Sequence, residues 1–290
     1  MQEVLKLTII SAMNNALSID LEEYFQIHAL TGLVQPDMWP DFPSSIEDNT
    51  VKILDLLEKY RIRTTFFCLG WIAEHHQGLI RRIRRQGHEI ACHGFAHQVI
   101  YQQDKVMFRD DVSRAKDILE DIIGEPVIGY RAPTYSITNK TLWALSILED
   151  LGFRYDSSIF PIYHDTYGMP HTPRFPYQLP DSTLVEFPLS TLKLGPINIP
   201  ISGGGYFRLL PYFITKIALK ALMHSNNRFV FYIHPWELNP DTPRVAGMDV
   251  RSRFRTYVGI GTSFQRFTAL IQDFSFAPIR DVLTEMKLLS

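Results

Sequence analysis

Four short stretches carry side chains whose types and spacing could do chemistry. In ALSIDLEEYFQ (16–26) an apolar run meets three acids, Asp20, Glu22 and Glu23. On an extended strand, residues two apart share a face, about 6.5–7 Å apart along the chain. Asp20 and Glu22 are therefore expected to face one pocket and Glu23 to point away, structural or solvated. Two carboxylates in one pocket suit general-base work, metal binding or glycoside cleavage; in a solvated loop they do none of these. In CHGFAH (92–97), His93 and His97 have the spacing that lets two imidazoles share a face of a helical turn and grip one ion. Imidazole with a carboxylate suits zinc and related divalent ions. In GYRAPTY (129–135), Arg131 could pair with and orient a carboxylate, and Pro133 stiffens the following turn. In FYIHPWE (231–237), an apolar run ends in His234, which could protonate a leaving group. Trp236 beside it is either a stacking face for a sugar or a packed rim residue. Singly, each stretch is also compatible with a loop acid, a surface arginine or a satisfied core histidine.

These residues need elements to position them. Leu17–Asp20 reads as a strand. A helix follows over 44–60, with a serine cap and acids in its first turn. The alternation continues with a strand at 63–70, a helix at 78–87 and a strand at 88–94. A helix at 108–124 stops at Gly124. A strand over 127–133, a helix over 138–152 and a short strand over 153–159 come next. Residues 160–200, rich in Pro and Tyr, read as long loops with edge strands. A helix over 211–225, a strand over 228–237 and a last helix over 262–274 complete the pattern. Strand–helix alternation implies a mainly parallel sheet. Asp20, Glu22, His93, Arg131, Asp156 and His234 all fall at strand C-terminal ends, the face where barrel enzymes place their sites.

The bulk numbers fit this reading. The chain has 290 residues, of which 46% are apolar and 21% charged, ample for a core, and length alone permits one large domain or two medium ones. A net charge of -2 gives no nucleic-acid-binding stripe. No apolar run reaches transmembrane length, and the N-terminus is a poor signal peptide. Cys68 and Cys92 each sit in an apolar run, so reduced core thiols and a cytoplasmic setting are expected, with a peripheral membrane contact compatible. No GxSxG elbow, P-loop or GxGxxG is present; Gly203–Gly205 lacks phosphate-loop spacing.

The order of these motifs resembles the polysaccharide deacetylase (NodB-homology, carbohydrate esterase 4) family over about residues 16–237. SIDLEEYFQ, HGFAH, YRAPTYSI, YDSSIFP, GGGYFRLLPY, FYIHPWE and SRFRTYVGIG are most similar to the branch found beside exopolysaccharide and exosortase loci. The resemblance implies an α/β fold, a distorted (β/α)7 TIM-like barrel, forming one catalytic domain over 1–290 with residues 1–15 as an added N-terminal segment. It implies removal of N-acetyl groups from a sugar polymer or oligosaccharide. Carried over, Asp20 is the catalytic base, Arg131 its positioning residue, His234 the general acid, and Asp156 an acid that tunes the histidine. Glu22, His93 and His97 are the ligands of a divalent metal, zinc by preference. Backbone N–H groups near Tyr135 serve the oxyanion, and Tyr135 and Trp236 contact substrate. One departure stands out: most members have adjacent aspartates, whereas here Leu21 separates Asp20 from Glu22. A relative that hydrolyses a small purine-derived amide without metal resembles this spacing. Metal-independent amide hydrolysis therefore stays open, and so do a paired-carboxylate glycoside hydrolase and a non-catalytic sugar-binding protein.

Overall fold

The computed structural model describes residues 14–224 and 227–289. Most of the anticipated N-terminal addition, residues 1–13, lies outside the described residues, as does Ser225 at the end of an expected helix.

The strands are β1 (Asn15–Leu21), β2 (Thr65–Cys68), β3 (Glu89–Cys92), β4 (Gly129–Tyr130), β5 (Tyr155–Asp156), β6 (Tyr177–Gln178), β7 (Val185–Glu186), β8 (Thr191–Leu194), β9 (Ile197–Pro200), β10 (Val230–Ile233) and β11 (Phe276–Ala277). The α-helices are α1 (Ile46–Lys59), α2 (Gly70–His75), α3 (Gln77–Arg85), α4 (Lys105–Ile123), α5 (Trp143–Asp150), α6 (Gly204–Leu209), α7 (Tyr212–His224), α8 (Val250–Tyr257), α9 (Ile260–Asp273) and α10 (Ile279–Glu285). Nine strands form one sheet in the order β10-β1-β2-β3-β4-β5-β7-β6, with β11 pairing β1. Every pairing in it is parallel except that of β6 with β7. The strands β8 and β9 form a separate antiparallel hairpin.

Parallel strands are covered on both faces, so they read as continuous apolar runs rather than alternating ones. All seven residues of β1 are buried, which explains ALSI before the acids. The result is an α/β fold whose parallel-rich sheet curls into a half-barrel, as the distorted barrel expectation requires. All the parallel strands from β10 to β7 point their C-terminal ends the same way, and that edge carries the polar residues singled out above.

Several expected elements differ. The long C-terminal helix is not the last element: β11 and α10 follow it. The short helices α6 and α8 fall between the expected elements, in stretches given no element from the sequence. The segment forming α8, VRSRFRTY, buries only Thr256, so it has almost no apolar period to read. Within 160–200, β7 is an interior strand with both residues buried, not an edge. The helix at 44–60 begins at Ile46, and its N-cap Ser45 makes no side-chain cap. Glu23 caps it instead: its Oε1 accepts the N–H groups of Ser45 (2.7 Å) and Ile46 (2.9 Å) and the hydroxyl of Ser44 (2.6 Å). A carboxylate at a helix N-terminus satisfies orphan donors and meets the positive end of the helix dipole. Glu23, anticipated as structural or solvated, is structural and buried.

Cys68 and Cys92 are free, buried neighbours in the β2–β3 register. Burial pushes the Cys92 thiol up to about 12. Among the described residues no helix is long and apolar enough to cross a membrane.

Candidate active site

Asp20 sits one residue before the end of β1, and Arg131 follows β4, three strands away in the sheet. Arg131 is fully buried, with its Nη1 donating to Asp20 Oδ1 and to Ser18 Oγ, both at 2.7 Å. Its Nε and Nη2 donate to the carbonyl and hydroxyl of Ser157, and its guanidinium lies 4.1 Å from the centroid of the Phe67 ring. A buried guanidinium needs this full satisfaction, because an unpaired buried charge is strongly destabilising. Burial opposes the charged form, but Asp20, Tyr135 and Tyr155 together outweigh it and keep Arg131 protonated. The fork fixes one oxygen of Asp20 and leaves Oδ2 facing the Tyr135 hydroxyl (3.5 Å) and His234 Nε2 (3.9 Å).

Glu22 lies just beyond β1. Its N–H donates to the Asp20 carbonyl (3.1 Å), a tight three-residue turn that replaces the strand pleat anticipated there. The two carboxylates still share a pocket, because His234 Nε2 is 3.5 Å from Glu22 Oε1 as well as close to Asp20. Glu22 Oε2 lies 2.7 Å from His97 Nε2 and 3.9 Å from His93 Nε2. The two histidines do not share a helical turn, as their spacing suggested. Residues 93–97 are a loop that bends through left-handed backbone at Gly94 (φ 74°) and His97 (φ 52°). A Cβ at Gly94 would come 2.8 Å from Asp111 Oδ2, the atom of α4 that accepts the Phe95 N–H and braces this loop. Left-handed backbone is uncommon outside glycine, and at His97 it is held by its surroundings.

The three residues suit a divalent cation. One ligand atom from each lies within 4.8 Å of the others, and all three residues are buried. Glu22 Oε2 is buried and makes no well-formed hydrogen bond. Burial would raise the Glu22 carboxyl, but His97, His234 and His93 pull it down to about 2, so it is ionised. Burial lowers His93 to about 4, so it is neutral, and its Nδ1 lies 2.7 Å from the Arg131 carbonyl. That contact fixes the tautomer that leaves Nε2 facing the cluster, the usual arrangement of a metal-ligating histidine.

His234 follows β10 and is held by a residue not singled out in the sequence. Glu237, three residues on, accepts the His234 N–H (3.0 Å) and places the same oxygen 3.1 Å from His234 Nδ1. Its other oxygen takes the Arg208 Nε at 2.8 Å. Arg208 is buried and also donates to the carbonyls of Thr256, Val258 and Arg255. Burial would deprotonate His234, but Glu22, Glu237 and Asp20 together raise it to about 9. The histidine is thus a cation at neutral pH, next to two carboxylates.

Three assignments need correction. Trp236 offers no open face to a sugar: it is 4% exposed, stacks on His234, lies under the Arg208 guanidinium and points its Nε1 at Glu22 Oε1 (3.4 Å). Tyr135 reaches the site only through its hydroxyl. Its N–H donates to the Ala132 carbonyl (3.0 Å) and the Ser136 N–H to Pro133, so neither amide is free for an oxyanion. Asp156 does not tune the histidine, a role filled by Glu237. Asp156 accepts the Ser158 hydroxyl (2.5 Å) and is hydrogen-bonded to Glu186, across the β5–β7 pairing.

Comparison with known proteins agrees with this fold. The family described as Polysaccharide deacetylase matches residues 37–155, and a Domain of unknown function (DUF3473) matches residues 157–284. The peptidoglycan-N-acetylglucosamine deacetylase of Bacillus cereus is 31% identical over 96 residues, 33% of this chain and 35% of that one. The bifunctional xylanase/deacetylase of Pseudobutyrivibrio xylanivorans is 29% identical over 100 residues, 34% of this chain and 16% of that one. The matches thus span only about a third or less of these relatives' length. Among solved structures, a putative polysaccharide deacetylase from Mycobacterium smegmatis superposes with a TM-score of 0.61 at 18% identity, covering 96% of this chain and 92% of its own. The Puue allantoinase superposes at 0.57 and 18%, covering 95% and 91%. The open sheet with its polar edge is thus a fold shared with these structures, and residues 37–155 carry a polysaccharide deacetylase (NodB-homology, carbohydrate esterase 4) domain.

Proposed function

We propose that the protein hydrolyses the N-acetyl amide of an N-acetylated polysaccharide or oligosaccharide, in the synthesis or modification of an exopolysaccharide. One observation carries the reading: a fixed carboxylate and a protonated imidazole, Asp20 and His234, face each other beside a buried Glu-His-His cluster. Asp20, with one oxygen tied to Arg131, uses the other to take a proton from the attacking water. The Tyr135 hydroxyl beside that oxygen helps to seat the water. His234, charged and backed by Glu237, gives its proton to the sugar nitrogen as the C–N bond breaks. Acetate and a free sugar amine result, and the proton taken by Asp20 balances the one given by His234. Glu22, His93 and His97 would hold a divalent ion, zinc by preference, which lowers the pKa of a water and polarises an amide carbonyl. The two matched segments are taken as one catalytic domain, supported by β7 of the second pairing with β5 at the end of the first.

A second reading, metal-free hydrolysis of a small amide, is favoured by the direct approach of His97 to Glu22 at 2.7 Å. The glycosidase alternative is weaker: an acid held near 2, as Glu22 is, makes a poor proton donor. The deciding experiment measures acetate release from N-acetylated oligosaccharides and from small cyclic amides. It is run with zinc added and after chelation. Acetate release that chelation abolishes and zinc restores supports the proposal. Turnover of the small amide alone, indifferent to chelation, replaces it.

A further inference from the structure

Residues 187–236 hold no Asp or Glu, in a chain with 31 acids among 290 residues. The same stretch carries Lys193, Arg208, Lys216, Lys220 and Arg228. It also holds six of the fifteen large apolar side chains exposed among the described residues: Leu194, Ile197, Leu209, Phe213, Ile214 and Ile217. Single exposed apolar side chains need no explanation, but a group gathered on one face marks a contact surface.

Two neighbouring elements gather them. In α7, the buried Thr215, Ala218, Leu219 and Leu222 turn toward the body of the protein. Phe213, Ile217, Lys220 and His224 follow one another at intervals of four, three and four residues, so they form one stripe on the opposite side. Phe213 is 62% and Ile217 65% exposed, and Lys220 and His224 continue the exposed stripe. The same helix packs against β8. In the β8–β9 hairpin, the cross-strand partners Leu192 and Ile199 pack against the core. Leu194 and Ile197, the next pair on that face, are 60% and 49% exposed. Gly195 and Pro196 between them are exposed too, as is Lys193 beside them.

Charge selects what this face meets. The helix α9 packs on α7, and its only acid, Asp273, is taken up by Lys216 and the Tyr212 hydroxyl, both at 2.6 Å. Lys193 and Lys220 stay exposed among the apolar side chains. A second copy docked through the same patch would bring these lysines together with no carboxylate of the segment to answer them, an unfavourable match. An anionic bilayer answers both features: its acyl boundary takes the apolar side chains and its phosphates take the lysines. We propose that the outer stripe of α7 and the tip of the β8–β9 hairpin seat this protein on the surface of a membrane rich in anionic lipid, as a peripheral contact that spans nothing. The docking does not depend on which amide is hydrolysed, and it is read without substrate.

The test is cosedimentation of the full chain with vesicles. One set is made of equal parts phosphatidylglycerol and phosphatidylcholine, the other of phosphatidylcholine alone. The chain is expected to bind the anionic vesicles about tenfold or more tightly than the neutral ones, the scale of two basic side chains at a charged surface. Lys193→Gln combined with Lys220→Gln is expected to erase that preference. Phe213→Ser and Ile217→Ser are each expected to weaken binding about tenfold, the scale of one large apolar side chain kept out of the interface. Leu194→Ser, on the hairpin, is expected to do the same and serves if the α7 variants disturb that helix. Circular dichroism and melting temperature of each variant are compared with the parent. Absence of binding to anionic vesicles, or binding left at the parent's level by all three apolar variants, overturns the proposal. A dimer in vesicle-free sedimentation that Phe213→Ser dissociates overturns it as well, and makes the face a contact between copies.

Discussion

Glu237 Oε2 stands 3.1 Å from His234 Nδ1, on a carboxylate whose other oxygen is clamped by the buried Arg208. The opposite edge of the same ring faces Asp20 and Glu22. Glu237 is lowered to about 2, against the effect of burial, by Arg208 and His234, so it is charged over the whole working range. Its charge helps to raise His234, and removing it must lower the histidine. On the proposed reading the protonated form of His234 is the acid, so the alkaline limb of kcat marks its loss. Glu237→Gln is expected to move that limb to lower pH, with the rate on the acid side much less affected. A limb that stays in place in the variant would show that His234 is not the group titrating there.

Among the described residues, Asp20 is the carboxylate in contact with both Arg131 and His234. Asp20→Asn keeps the shape and an acceptor for Arg131 but cannot take a proton. Acetate release is expected to fall about 10²–10⁴-fold, the usual worth of a positioned general base. Circular dichroism should stay unchanged, with some loss of thermal stability because a buried guanidinium has lost its counter-charge. Turnover within a factor of a few of the parent would remove Asp20 from the base role.

The convergence of Asp20, Glu22, His93, Arg131 and His234 was legible in the sequence for a simple reason. Each ends an apolar run, and parallel strands gather their C-terminal ends on one edge. What was hidden depends on backbone detail or on distant partners. The His93–His97 loop is set by positive φ at Gly94 and His97, which spacing alone does not reveal. The amide of Tyr135 is spent in a turn that only coordinates show. Arg208 sits in α6, a helix too short to leave a period, and meets Glu237 across 29 residues. The HPWE run did offer one clue: an acid three residues after a strand-end histidine can turn back on it.

Glu23 is a neighbour of the site residues with a different task. Its carboxylate caps α1, so its loss should show in stability rather than chemistry. Glu23→Gln is expected to cost about 0.5–2 kcal/mol, the range for a lost N-cap, read from urea unfolding. Zinc content and kcat per folded molecule should match the parent. A variant as stable as the parent but stripped of zinc would assign Glu23 to the metal site instead.

Asp156 and Glu186 form a buried carboxyl pair on β5 and β7, and neither reaches His234. Burial raises Asp156 to about 6, and burial together with Asp156 raises Glu186 further. Two adjacent buried carboxyls cannot both ionise cheaply, so the pair keeps a proton that the unfolded chain would release. The sign follows from linkage. Where the native state binds more protons than the unfolded state, stability falls as pH rises. The pair's contribution is therefore full below pH about 4, the ordinary carboxylate value, and declines through about 6 and above as the folded pair is forced to ionise. Asp156→Asn removes one ionisation and supplies a permanent donor to Glu186. The fall in melting temperature between pH 5 and pH 8 is expected to be smaller in this variant than in the parent. An equal or steeper fall would mean that the pair is already ionised in the native protein, with Arg131, whose charge favours the ionised Asp156, carrying the compensation.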